Sequence, residues 1–294
     1  MRRLLPILFL AASFQAVPVL ANASDLRDVE VQLRAAERGD VEAQIVIGTL
    51  YATGEGVPRN DAQALKWFRK AAEQGNARAQ HNLGVMYANG RGVSKDEAQA
   101  VTWYRKAAVQ GDVKAQTNLG LMYEKGRGIT QDDGQAVHWY RQGAEQGDAG
   151  AQTNLGLMYE KGRGVTQDGA LAANWYRKAA EQGAAEAQFN LGGMLLDGKS
   201  VPRDDAEAAK WWRKAAERGF PGALYGLGTL YNAGRGVPEN RAVAYALFNL
   251  AGAAGVGKAI SHRDKLVSDH QISEEEIGKG RLLSRQMVHF GSLA

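Results

Sequence analysis

The feature that most restricts this chain is a period of 36 residues, held without insertion over most of its length. Ala43, Ala79, Ala115, Ala151, Ala187, Ala223 and Ala259 mark one phase, and Gly48, Gly84, Gly120, Gly156, Gly192 and Gly228 mark another. Trp67, Trp103, Trp139, Trp175 and Trp211 keep the same step, with Leu247 in the sixth copy. Residues 115–132 and 151–168 differ only at Ile129 against Val165. Six full copies follow a half-copy, Val31 to Gly39, and precede a degenerate tail. Self-similarity at this period means stacked supersecondary units, because no single copy can bury its apolar faces alone.

Each copy reads as two helices. In the first, near residues 41–53, Ala43, Ile47, Gly48, Leu50 and Tyr51 fall on one side. In the second, near 61–74, Ala64, Phe68, Ala71 and Ala72 form the stripe. The Phe68 phase is aromatic throughout (Tyr104, Tyr140, Tyr176, Trp212, Phe248), and the Ala64 phase is always Ala, so large side chains face small ones. Gly54 and Gly75 end the helices, as glycine does where the backbone turns left-handed. Together with the Gly48 and Gly56 phases and Gly39, they account for 24 of the chain's 36 glycines, an excess that otherwise lacks an explanation. Capping boxes are expected at Asn60/Gln63, Asp96/Gln99, Asp132/Gln135 and Asp204/Glu207. The predicted fold is all-α, an α-solenoid in the form of a right-handed superhelix of 36-residue helix-turn-helix repeats.

The pattern A-Q-x-N-L-G-x-M-Y-x-x-G-x-G-V followed by A-x-x-W-Y-R-K-A-A-E-Q-G resembles the Sel-one-like repeat (SLR) family, a branch of the tetratricopeptide superfamily. Its clearest instances are Ala79–Val93 with Ala100–Gly111, where Val109 replaces the Glu, and Ala151–Val165 with Ala172–Gly183. Ser200 replaces a Gly, Leu195 the Tyr and Leu247 the Trp. The cysteine pair that many bacterial members carry in each repeat is absent, since the chain has no Cys.

The N-terminus has its own character. Met1-Arg2-Arg3, an apolar run from Leu4 to Leu20, and Ala21-Asn22-Ala23 form a signal-peptide pattern with an A-x-A cleavage site. The expected organisation is a signal peptide (1–23), an N-terminal half-repeat or capping helix (24–39), six repeats (40–258) and C-terminal capping helices (259–294). Ser273-Glu274-Glu275-Glu276 should open a helix that covers the last repeat, or alternatively docks a partner. Export places the protein in the periplasm, with secretion as the alternative, and leaves no integral membrane segment after cleavage. Removing Arg2 and Arg3 lowers the formal charge from +4 to +2.

The search for chemistry excludes more than it finds. There is no G-x-S-x-G, H-E-x-x-H or S-x-x-K motif, and the histidines (His81, His138, His262, His270, His289) have no metal spacing. No cofactor is expected. His81 and His138 occupy variable phases, which points to surface histidines. The Gly-x-Gly pairs follow helices, so the dinucleotide fingerprint fails on context. Recurring Arg91, Arg127, Arg163, Lys199 and Arg235 could suggest a nucleic-acid track, but interspersed acids and the near-neutral mature charge indicate solvated or paired residues and no nucleic-acid partner.

The resemblance implies a concave groove lined by first-helix residues. Carried over, the phase before the Asn holds Ile45, His81, Thr117, Thr153, Phe189 and Tyr225, and three residues after the Asn come Thr49, Val85, Leu121, Leu157, Gly193 and Thr229. Asn82, Asn118, Asn154 and Asn190 border the groove, and Glu124/Lys125 and Glu160/Lys161 extend it toward the loop. An amide ladder can bond an extended peptide or tie neighbouring repeats together, because each amide both donates and accepts. The expected role is a non-enzymatic scaffold or regulator that binds a protein or extended peptide. The resemblance also admits an inhibitor of a secreted toxin, such as a phospholipase effector, and a cell-wall or β-lactam hydrolase.

Overall fold

A computed structural model describes residues 26–290, and the signal-peptide expectation lies outside them. All described secondary structure is helical and divides into two compact units. Unit 1, ending at Asp148, contains α1 (Leu26–Glu37), α2 (Val41–Thr53), α3 (Asp61–Glu73), α4 (Ala77–Asn89), α5 (Glu97–Ala108), α6 (Val113–Lys125) and α7 (Asp133–Glu145). Unit 2 contains α8 (Ala149–Lys161), α9 (Gly169–Glu181), α10 (Ala185–Asp197), α11 (Asp205–Glu217), α12 (Pro221–Ala233), α13 (Arg241–Ala253), α14 (Gly257–Ser268) and α15 (Glu274–Phe290). Within each unit, consecutive helices pack as antiparallel pairs stacked repeat on repeat, the arrangement of an α-solenoid.

Close packing explains the glycine phase inside the first helices. A Cβ on Gly48 would lie 2.7 Å from the Phe68 ring, and one on Gly120 would lie 2.7 Å from the Tyr140 ring. The same holds for Gly84 on Tyr104, Gly156 on Tyr176, Gly192 on Trp212 and Gly228 on Phe248. All six rings are buried. Aromatic side chains remove roughly 150–250 Å² each from water, so this column is a dominant apolar contribution. The second glycine of the loop serves stacking instead. Gly92 has φ +68°, and a Cβ there would come 2.3 Å from the Asp61 carbonyl oxygen of the preceding repeat.

The helix starts depart from the expected capping boxes. Asn60, Asp96, Asp132 and Asp204 each accept from the N–H three residues on, at 2.8–3.1 Å. Their own N–H groups, however, donate to the carbonyls of Tyr51, Tyr87, Tyr123 and Leu195 on the first helix of the same repeat. The residue at N3 therefore has no orphan donor to reach back for. Ser273 and Glu276 do close a reciprocal box, with Ser273 N donating to Glu276 Oε2 at 2.9 Å and Glu276 N lying 3.3 Å from Ser273 Oγ.

Side chains then join the layers. Gln74, Gln110 and Gln146 donate to Gln44, Gln80 and Gln116, whose own amides donate to Ala36, Ala72 and Ala108 of the previous repeat. Arg91 reaches Asp61 at 2.6 Å and Arg127 reaches Glu97 at 2.6 Å. The recurring loop arginines are thus paired. At the C-terminal end the pattern closes: α14 retains Ala259, but Asp264 stands at the glycine phase. The final helix packs on α13 and not as a partner of α14, with Gly280 close against the Ala242 carbonyl and the Tyr245 ring.

Candidate partner-binding face

The first helices of each unit carry the candidate residues, which fall into two environments. In unit 1, α4 and α6 hold a polar network. Asn118 Nδ2 lies 3.2 Å from His81 Nε2, and His81 Nδ1 lies 3.3 Å from Asn82 Oδ1. With the Asn118 amide donating, the proton sits on Nδ1 and is donated to Asn82. The Thr117 hydroxyl is 3.1 Å from Asp148 Oδ1, and Lys114 pairs with the same carboxylate at 2.7 Å. Leu121 is buried beside this network, as is Asn82.

His81 corrects the expectation of a surface histidine, because only 1% of it is exposed. Its phase is variable, but the next repeat covers it, and the Tyr104 ring lies 5.9 Å away. Burial pushes the imidazole pKa below its ordinary value, the Asp112 carboxylate and the Asn82 bond oppose this, and Lys114 adds to the depression. As pH falls, the unfolded chain therefore takes up the proton first. Stability is fully present above about pH 6.5 and declines as pH drops below it, levelling once the native imidazole is itself charged. Melting temperatures of the wild type and His81→Thr, which carries the residue of repeats three and four, should converge or cross on acidification. A difference independent of pH would refute a buried neutral His81.

Glu124 is also buried rather than presented to solvent: the Tyr140 hydroxyl donates to it at 2.8 Å and Lys125 Nζ is 2.8 Å away. In unit 2 the Tyr176 hydroxyl donates to Glu160 at 2.7 Å, and Asn190 bonds the same tyrosine. Burial and the Glu160 charge drive the Tyr176 pKa upward. Thr153 and Asn154 are buried, with the Thr153 hydroxyl turned to the Ala149 carbonyl at 2.7 Å. Leu157 is half-buried. The amides at Asn118 and Asn190 thus have partners on the preceding repeat of their own unit.

The accessible part of unit 2 is aromatic. Phe189 stacks on Trp212 at 5.7 Å and contacts Phe220 at 5.1 Å, while Tyr225 contacts Phe248 at 5.9 Å and His262 at 5.4 Å. Trp212 fits because Gly226 stands at the Asn phase, where a Cβ would lie 2.5 Å from the indole ring. Gly193, one turn beyond Phe189, faces open space. The pairing of Trp212 with Gly226 was legible only as two separate departures from the repeat. Among the described residues no helix is long and apolar enough to cross a membrane, and no group of three His, Asp or Glu is placed to hold a metal.

Stacked helix pairs of this length, with variable side chains on the first-helix face, define a repeat scaffold. The Sel1 repeat model matches residues 41–76, 77–112, 113–148, 149–183, 185–220 and 221–256, and the chain belongs to the Sel1 repeat family. The chain is similar to a protective antigen of uropathogenic Escherichia coli with an SLR fold, at 38% identity over 86% of this chain and a TM-score of 0.79. It spans only 54% of that protein's length. It is also similar to a Sel1 repeat protein of Oxalobacter formigenes, at 33% identity over 76% of this chain and 96% of that one, with a TM-score of 0.67. A more distant likeness is the immunity protein Pa5087 of Pseudomonas aeruginosa, at 20% identity, 72% and 80% coverage and a TM-score of 0.46. No protein among those with curated descriptions matches.

Proposed function

We propose that this is an exported, non-catalytic scaffold or regulator that binds a protein or extended peptide on the first-helix face. One observation carries the reading. Positions that pack the two helices of a repeat recur as glycine against an aromatic ring, while the neighbouring face runs Ile45, His81, Thr117, Thr153, Phe189, Tyr225. A purely structural stack has no need of such variety at one phase. Half-buried Leu157, Phe189 and Tyr225 supply apolar contact, and half-buried Thr117 supplies a polar one. The signal-peptide pattern of Met1 to Ala23 supports the exported address.

A photoreactive residue at Thr117 or Leu157, introduced in cells, tests the reading. Capture of one defined partner from Leu157, lost in Phe189→Ala or in Tyr225→Ala of the same unit, supports it, whereas capture of nothing from either position refutes it. N-terminal sequencing of the exported protein should begin at Ser24.

A further inference from the structure

Repeat five breaks several of the contacts that recur along the chain. Across the junctions described, an arginine of the second helix donates to a tyrosine hydroxyl of the next repeat: Arg69 to Tyr87 at 2.8 Å, Arg105 to Tyr123 at 2.9 Å and Arg213 to Tyr231 at 2.8 Å. Between repeats four and five the tyrosine is Leu195, and Arg177 turns instead to Glu207 at 2.8 Å, a pair with 44% and 31% of its side chains exposed. Such exposed pairs contribute little.

The loop contact fails at the same junction. Where Arg91, Arg127 and Arg235 reach Asp61, Glu97 and Asp205, repeat five offers Lys199, and α9 opens with Gly169 in place of the acid. Lys199 pairs with Asp197 of its own repeat, with 80% of its side chain exposed. Ser200 replaces the close-packing glycine, and Gly169 makes room for it: a Cβ there would lie 2.1 Å from the Ser200 hydroxyl. Within the repeat, Arg218 stands where Gln74, Gln110, Gln146 and Gln182 donate to a first-helix glutamine. The buried Gln188 Oε1 accordingly has no donor. At its N-terminus α10 has Ala184 and no side-chain cap, and unlike α12 it has no proline at its start. Across this junction Gln188 still donates to the Ala180 carbonyl at 3.0 Å, Asn190 bonds Tyr176, and the Arg218 side chain lies against Gly183.

We infer that the junction between repeats four and five is a built-in pivot of unit 2, at which the segment from α10 onward moves against α8 and α9. In a stack stabilised by nearest-neighbour contacts, a junction without either the loop ion pair or the arginine–tyrosine bond yields more readily than those that have both. Phe189 and Gly193 lie on α10, so motion there reshapes the aromatic part of the first-helix face.

The absence of cysteine lets paired spin labels report this directly. Exposed positions Asn174 and Lys210 straddle the junction, and exposed Lys66 and Thr102 straddle the fully tied junction of repeats one and two at the same phase. Pulsed electron resonance on N174C/K210C should give a distance distribution at least about twice as wide as on K66C/T102C. Installing Gly169→Asp, Leu195→Tyr, Lys199→Arg and Ser200→Gly together should narrow it to the width of the control. If that combination misfolds by circular dichroism, Leu195→Tyr alone provides the comparison. Equal widths in the unrepaired chain, or a width that repair leaves unchanged, would overturn the pivot.

Discussion

Gly120→Val should lower the unfolding free energy by about 3 kcal/mol, the upper range for overpacking a tightly packed core. The new Cβ would come 2.7 Å from two carbons of the Tyr140 ring. That ring cannot retreat, because it is fully buried and its hydroxyl is held by Glu124. Gly193→Ala should have the opposite sign. Nothing lies within 4 Å of its added Cβ, and replacing glycine within a helix gains about 0.5–1 kcal/mol. Urea denaturation of the two variants beside the wild type decides the matter. If both shift the same way, helix propensity and not the glycine–aromatic contact governs these sites.

A second contrast concerns two tyrosines at one phase. Tyr140→Phe should cost about 2 kcal/mol, since it removes a hydrogen-bond donor from the buried Glu124 carboxylate. Tyr104→Phe should be neutral or mildly stabilising. At the position corresponding to Glu124 that repeat has Ala88, and the buried Tyr104 hydroxyl has no hydrogen-bond partner. Burial accordingly drives its pKa upward. Comparable losses from the two substitutions, measured by thermal unfolding, would show that ring packing outweighs the carboxylate.

Most of the architecture was legible in the period itself. Helix ends, the aromatic–glycine column and the terminal capping box at Ser273 follow from residue type at a fixed phase, because each depends on neighbours a few residues away or one helix on. The candidate face was less legible. Burial of His81 depends on Asn118, Asp112 and Tyr104, residues brought to it by stacking, so a variable phase was mistaken for an exposed one. Glu124 read as a surface acid because its partner, Tyr140, belonged to a stripe already assigned to the core. The capping pairs failed for a similar reason: the Tyr51 carbonyl and its equivalents take the N–H that the box would have served. The glutamines of the A-Q and E-Q-G motifs recurred in plain sight, but their mutual bond requires two helix ends that only the packed repeat brings together.

The ties within and between repeats span fixed offsets: 30 residues for the glutamine pairs and the loop arginines, 18 for the arginine–tyrosine bonds. Each is shorter than the 36-residue block, so excising or duplicating one block among repeats one to four restores every such partner without a compensating change. Slippage between near-identical stretches, such as 115–132 and 151–168, would therefore alter the gene by a unit the protein can accommodate. Length in this chain can change by whole repeats, while the two atypical ends are inherited unchanged.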